Sequence, residues 1–385
     1  MATSITTPAF ITDEKILNQE LLALRKIADK ASCKLLYSPK ANPLPAVLQT
    51  AAKRVDGFGC SSPFELELVE RVCGPGVSRH LVGPLLTEEM LHAVGDRLDY
   101  LTFNSLSQWD RLHQLVPNTV QCGIRVNPEL SFIRDPRYDP CRQHSKLGVP
   151  ISELARVTAS DPGRLCGING LHFHTNCDET DFASLLATAR RIQDSVPELL
   201  QGLDWINMGG GYLFDLADDK TDFFHAVEIF RDTFNLRVFI EPGAALARRA
   251  GTIEATVHDL FESDGLQVAV LDTTVNHMAE VFEFQFEPDV LGHVDGGVHE
   301  YLLAGCTCLA GDIFGEYTFD TPLTIGSRIT FLNMGAYTIS KAHRFNGISL
   351  PTLYTRETDG ALKQIHEDSF DAFARTMGMA NNAIA

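Results

Sequence analysis

Cys33-Lys34-Leu35-Leu36-Tyr37-Ser38-Pro39-Lys40-Ala41-Asn42 decides how the rest of the chain is read. Its first five residues form a short apolar run, and Pro39 ends it, because proline has no N–H to give to a sheet interior. Lys40 then stands just past the carboxyl end of a strand, where α/β barrels carry their chemistry. Upstream, Thr12-Asp13-Glu14 caps a helix with Leu17, Leu21, Leu24 and Ala28 on one face. Downstream, seven further runs of the same kind recur between amphipathic stretches: Val55 to Gly59, His80 to Gly83, Asp99 to Phe103, Val120 to Val126, Leu171 to His174, Trp205 to Met208 and Val238 to Glu241. Ser62-Pro63-Phe64-Glu65 is a capping box with proline at the first helical position, so a helix begins directly after the second run. Eight alternations of strand and helix predict a (β/α)8 barrel over residues 13–250.

Between Asn127 and Ile151 the rhythm lapses into Pro128, Pro136, Pro140 and Pro150 among charged residues, which predicts a long loop at the active end. Past Gly251 the period changes. Thr252 to Val257, Gln267 to Asp272 and Arg328 to Leu332 alternate or run as strands between glycine and proline turns. This predicts a β-rich second domain built from residues 251–385 and 1–12, with Phe10 and Ile11 in one of its strands.

The 385 residues carry 32 Lys and Arg against 50 Asp and Glu, a formal charge of −18 that disfavours nucleic acid and anionic membranes and favours a cationic ligand. Nine cysteines without regular spacing point to reduced thiols and a cytoplasmic setting rather than a disulfide framework. Nothing in their spacing suggests a metal site. A basic region followed by an apolar run is missing at the N-terminus, and no run approaches the length of a membrane span.

The strand ends carry Lys40, His174, Gly209-Gly210-Gly211 and Glu241-Pro242-Gly243. Singly, each has a plain reading: a solvated surface charge, a hydrogen-bonded core histidine, a flexible turn, a charged strand end. Together they match what pyridoxal phosphate requires. A lysine amine joins the aldehyde, glycine amides approach the phosphate, an imidazole lies on the ring, and a carboxylate meets the ring nitrogen.

The chain resembles the fold-type III pyridoxal phosphate enzymes, the group of alanine racemase and the ornithine and diaminopimelate decarboxylases. The resemblance is carried by Ser38-Pro39-Lys40-Ala41-Asn42, Arg125-Val126-Asn127-Pro128-Glu129, Ser145-Lys146-Leu147-Gly148, Gly170 to Thr175, Asn207 to Gly211 and Glu241-Pro242-Gly243. Within the group, Cys306-Thr307-Cys308-Leu309-Ala310-Gly311-Asp312, Ala336-Tyr337-Thr338 and Phe345-Asn346-Gly347 look like the carboxynorspermidine (carboxyspermidine) decarboxylase branch. The chain departs from that branch at Asn176, Cys177 and Asp178, at Ala279-Glu280, and at Tyr37-Ser38-Pro39 before the lysine.

The resemblance implies that Lys40 carries the cofactor, His174 stacks on its ring and Glu241 meets its nitrogen. It further implies that Gly209, Gly210, Gly211, Gly243 and Tyr337 hold the phosphate and that Cys308, or alternatively Lys40, returns a proton to Cα. Asp272, Glu280 and Asp312 are expected around the substrate's cationic tail, and His277 is expected among the substrate-binding residues. The implied assembly is a homodimer with shared active sites, and the implied reaction is decarboxylation of carboxynorspermidine or carboxyspermidine to the polyamine. Two other readings compete: a decarboxylase of another amino acid in siderophore or other secondary metabolism, and a non-catalytic regulatory homologue.

Overall fold

The computed structural model describes residues 5–379. In chain order the strands are β1 (Ala9–Asp13), β2 (Lys34–Tyr37), β3 (Gly57–Cys60), β4 (Ser78–Val82), β5 (Tyr100–Phe103), β6 (Gln121–Asn127), β7 (Val149–Pro150), β8 (Gly170–His172), β9 (Trp205–Asn207), β10 (Arg237–Ile240), β11 (Gly251–Ser263), β12 (Leu266–Leu271), β13 (His299–Ala304), β14 (Ile313–Phe319), β15 (Arg328–Phe331), β16 (Thr352–Arg356) and β17 (Leu362–His366). The chain divides into two compact units, one of residues Gln19–Leu246 and the other of residues up to Asn18 together with those from Ala247 on.

The first unit is the predicted parallel barrel. Its eight strands run in the order β5-β4-β3-β2-β10-β9-β8-β6, and β5 pairs with β6 to close the ring. Each of the eight apolar runs supplies one strand, because a strand buried on both faces shows as continuous hydrophobicity. Ser62 accepts the Glu65 N–H at 3.2 Å and Glu65 reaches back to the Ser61 N–H at 2.6 Å, fixing the start of the helix Pro63–Cys73. The stretch after β6 is irregular until β7, as its prolines predict.

Leu36, Tyr100, Trp205 and Phe239 fill part of the barrel interior. The Tyr100 and Trp205 rings meet edge to face at 5.4 Å. Space for the indole comes from two glycines. A Cβ at Gly170 would lie 2.1 Å from the Trp205 ring, and one at Gly123 would lie 2.5 Å from it.

The second unit is a sheet in the order β14-β13-β12-β11-β1-β16-β17, with β15 on β11. Phe10 and Ile11 do supply a strand: β1 pairs antiparallel with β11 and parallel with β16. The first half of β11 alternates buried and half-buried residues, and Phe314 packs on Phe331 at 4.7 Å in the core. Among the described residues no helix is long and apolar enough to cross a membrane. None of the nine cysteines is in a disulfide.

Candidate active site

The turn after β2 is built to present Lys40. Its backbone closes through the Ala41 N–H to Ser38 O bond at 3.1 Å. The Tyr37 hydroxyl donates to Asn42 O at 3.0 Å, and Asn42 Oδ1 accepts the Leu44 N–H at 3.1 Å. Lys40 is partly buried, and its charge is felt at Glu65, His172, His174 and Glu241. The strand ends that the sequence singles out in the barrel therefore form one cluster.

Glu241 is its electrostatic centre. It follows β10, is 5% exposed, and accepts from His172 Nε2 at 3.2 Å and from Asn207 Nδ2 at 3.0 Å. Burial opposes its charge, but the adjoining His172 imidazole and the Lys40 ammonium outweigh it and hold the carboxyl below the usual range. Burial pushes His172 down as well, against the pull of Glu241. A neutral imidazole beside an ionised carboxylate must carry its proton on Nε2. That assignment leaves Nδ1 as an acceptor, and it is buried with no hydrogen-bond partner.

His174 lies two residues on. It accepts the Gly210 N–H at Nδ1, at 3.1 Å, which puts its own proton on Nε2 and fixes the plane of the ring. Burial, with the charges of Lys40 and Arg125, holds it well below its ordinary value and therefore neutral.

The triple glycine has a structural cause besides ligand binding. Cβ atoms at Gly209, Gly210 and Gly211 would lie 2.4, 2.5 and 2.0 Å from the carbonyl oxygens of Phe173, Glu241 and Asn176. Gly209 and Gly211 also have φ of +72° and +92°. Two of the three amides donate internally, Gly209 to Asn207 Oδ1 at 2.8 Å and Gly210 to His174.

Gly243 follows Glu241 and Pro242 in the barrel unit; the remaining sequence-predicted residues belong to the β-rich unit, and most already have partners there. Asp312, 3% exposed, accepts from Thr274 Oγ1, the Val275 N–H, and both the N–H and hydroxyl of Thr307. Asp272 accepts the Thr256 N–H at 2.8 Å and lies 3.5 Å from His258. His277 is fully buried against the Thr273 hydroxyl, and burial pushes it down to about 4. Glu280 pairs with Lys341 at 3.0 Å. Cys308 is exposed, with its backbone N–H on Asn346 Oδ1 at 2.8 Å. Burial pushes the thiols of Cys73 and Cys122 up to about 11. Tyr337 adopts a left-handed φ of +55°. Asn176, one of the departures, is buried and donates to Ser184 and Tyr212.

His172, Asn207 and Arg125 form part of the cluster without having been singled out for a role. The signal was present. His172 and His174 share the period of two that puts alternate residues on one face of a strand, and Asn207 ends β9 two residues before the first glycine.

The buried imidazoles make stability depend on pH. Burial pushes His80 to about 3 and His277 to about 4, and it lowers His172 and His174 too. The unfolded chain binds protons at these positions below about pH 6.5, where the folded chain does not. The stabilisation is therefore complete above that pH and is lost as pH falls, by about 2 kcal/mol each for His80 and His277 at pH 5, with His172 and His174 acting in the same direction. Urea unfolding at pH 7.5 and pH 5 checks this; equal stabilities at the two would contradict it.

The cluster fits the pyridoxal phosphate implied by the resemblance. An ionised carboxylate suits a protonated ring nitrogen, and Gly59 leaves one side of it open, since a Cβ there would lie 2.7 Å from Glu241 Oε2. A primary amine, a neutral imidazole and a glycine turn complete the set.

Residues 15–248 match the pyridoxal-binding domain of the pyridoxal-dependent decarboxylases. The carboxyaminopropylagmatine decarboxylase of Synechocystis sp. is 32% identical, over 97% of this chain and 96% of its own. The carboxynorspermidine/carboxyspermidine decarboxylase of Herminiimonas arsenicoxydans is 30% identical, over 97% of this chain and 100% of its own. The crystal structure of the Campylobacter jejuni carboxynorspermidine decarboxylase complexed with norspermidine superposes with a TM-score of 0.87 at 28% identity, covering 97% of this chain and 100% of that one. With its barrel spanned by the family match and nearly its whole length shared with named decarboxylases, this chain belongs to the pyridoxal-dependent decarboxylases, and its cofactor is pyridoxal 5′-phosphate.

Proposed function

We propose that the protein removes the α-carboxylate of an amino acid with a cationic amine tail, carboxynorspermidine or carboxyspermidine, in polyamine biosynthesis. The observation that carries this reading is the meeting of Lys40, His174 and Glu241 in one barrel, in a chain similar along almost its full length to enzymes named for those substrates.

When bound, pyridoxal phosphate supplies a cationic ring that accepts the electrons of the broken bond between Cα and the carboxylate. Lys40 would hold the cofactor's aldehyde carbon through its ε-amine. Neutral His174, fixed by Gly210, would support the ring without adding charge. Glu241, held ionised, would keep a proton on the ring nitrogen. Gly209, Gly210, Gly211, Gly243 and Tyr337 shape the phosphate end, with the Gly209 and Gly210 amides acting through Asn207 and His174. Cys308 gives Cα the proton that replaces CO2. Among the residues expected at the tail, Glu280 is the one whose present partner is itself an ammonium, Lys341, so we assign it to the substrate's cation. Asp272, His277 and Asp312 act through the turns they hold together.

The Synechocystis relative favours a second reading, in which the tail ends in a guanidinium. Carbon dioxide release from carboxynorspermidine, carboxyspermidine, carboxyaminopropylagmatine, ornithine, lysine and diaminopimelate separates the readings. We expect one of the first two to exceed the others in kcat/KM by about tenfold or more. A preference for ornithine, lysine or diaminopimelate would overturn the assignment.

The resemblance also supports a cytoplasmic homodimer in which Cys308 serves the partner subunit's barrel. Mixing two inactive variants, Lys40→Ala and Cys308→Ala, should then restore up to about a quarter of wild-type activity, since half the dimers are mixed and each holds one intact site. A mixture as inactive as its components contradicts shared sites.

A further inference from the structure

We propose that Asn207 is a positioning residue that ties the glycine turn to Glu241, so that the contacts for opposite ends of the cofactor are held as one unit. The inference rests on the reading that Glu241 faces the ring nitrogen and the glycine turn faces the phosphate. Three hydrogen bonds close a loop through the end of β9 and the end of β10. Asn207 Oδ1 accepts the Gly209 N–H at 2.8 Å. Gly209 O accepts the Glu241 backbone N–H at 2.8 Å. Asn207 Nδ2 donates to Glu241 Oε2 at 3.0 Å. Asn207 is 4% exposed and Glu241 5%, so none of these bonds is readily exchanged for water.

The side chain uses both ends of its amide at once. The oxygen holds Gly209 in its left-handed conformation, φ +72°, from which the turn proceeds. The nitrogen offers a donor to one oxygen of Glu241, while His172 serves the other. Only an amide does both, because aspartate has no donor and serine or threonine cannot span both partners. A shift of the turn would thus move the carboxylate, and a shift of the carboxylate would move the turn.

Asparagine's two functions can be separated by substitution. Asn207→Asp keeps the acceptor for Gly209 but places a second carboxylate beside Glu241, and two buried carboxylates at that distance share a proton. Asn207→Ala removes both links. In Asn207→Asp we expect pyridoxal phosphate affinity within about threefold of wild type, together with a new ionisation near neutral pH in the absorbance of the bound cofactor and in kcat. In Asn207→Ala we expect affinity to fall about tenfold or more without a new ionisation.

The cofactor-free protein gives an independent readout. A pair that binds its proton more tightly when folded loses stability as pH rises through that pKa, so the melting temperature of Asn207→Asp should drop between pH 6 and 8 relative to wild type. A wild-type pH profile and melting curve in Asn207→Asp, or equal loss of cofactor from both variants, would overturn the coupling. Wild-type protein that fails to bind pyridoxal phosphate would instead remove the reading of the site, with the melting experiment still deciding the link between Asn207 and Glu241.

Discussion

Replacing Lys40 with alanine is expected to abolish the visible absorbance of lysine-bound cofactor and to lower kcat by about 10⁴-fold or more, because the amine that carries the aldehyde has no substitute. The loss should be chemical rather than structural. The turn is closed by the Ala41 to Ser38 backbone bond and clamped by Tyr37 and Asn42, none of which uses the lysine side chain. Melting of the cofactor-free variant should therefore stay close to wild type. Visible absorbance and turnover measured on one preparation check both halves. Wild-type turnover in the variant would remove Lys40 from the chemistry.

Glu241→Gln is expected to have the second largest effect. The substitution removes the negative charge beside the ring nitrogen, a loss of transition-state stabilisation of about 3 kcal/mol or roughly a hundredfold in kcat. It also sets an amide where two donors converge. One of its ends must face either His172 Nε2 or Asn207 Nδ2 as a donor, and an unsatisfied buried donor costs about 1–3 kcal/mol. Steady-state kinetics should show kcat falling with little rise in KM, and urea unfolding should show the separate cost. Unchanged kcat would mean that the carboxylate does not face the ring.

The barrel was legible because its strands are buried on both faces, so runs such as Tyr100 to Phe103 announce themselves without any partner. The β-rich unit was less so. β17 has four exposed residues in five, and β14 is broken by Gly315 at φ +142°, so neither shows a clean period of two. Pairing with β16 and β13 makes them strands, and pairing is not written in local sequence.

The site divides in a similar way. Lys40, His174 and Glu241 could be read from their places at strand ends, since the barrel rule says which end matters. Asp312, Asp272 and Glu280 could not be sorted by sequence. A carboxylate that closes a turn by accepting Val275 and Thr307 N–H groups looks the same in one letter as a carboxylate that waits for an ammonium. His172 was hidden for a related reason, because only the curvature of the barrel brings β8 beside the end of β10 and sets the imidazole 3.2 Å from Glu241.

Borohydride reduction of the cofactor-loaded protein, followed by proteolysis and mass mapping, tests the central claim most directly. One phosphopyridoxyl group per chain is expected, on the peptide containing Lys40 and at that side chain. A label on another lysine, or a protein that takes up no label after incubation with pyridoxal 5′-phosphate, would contradict it.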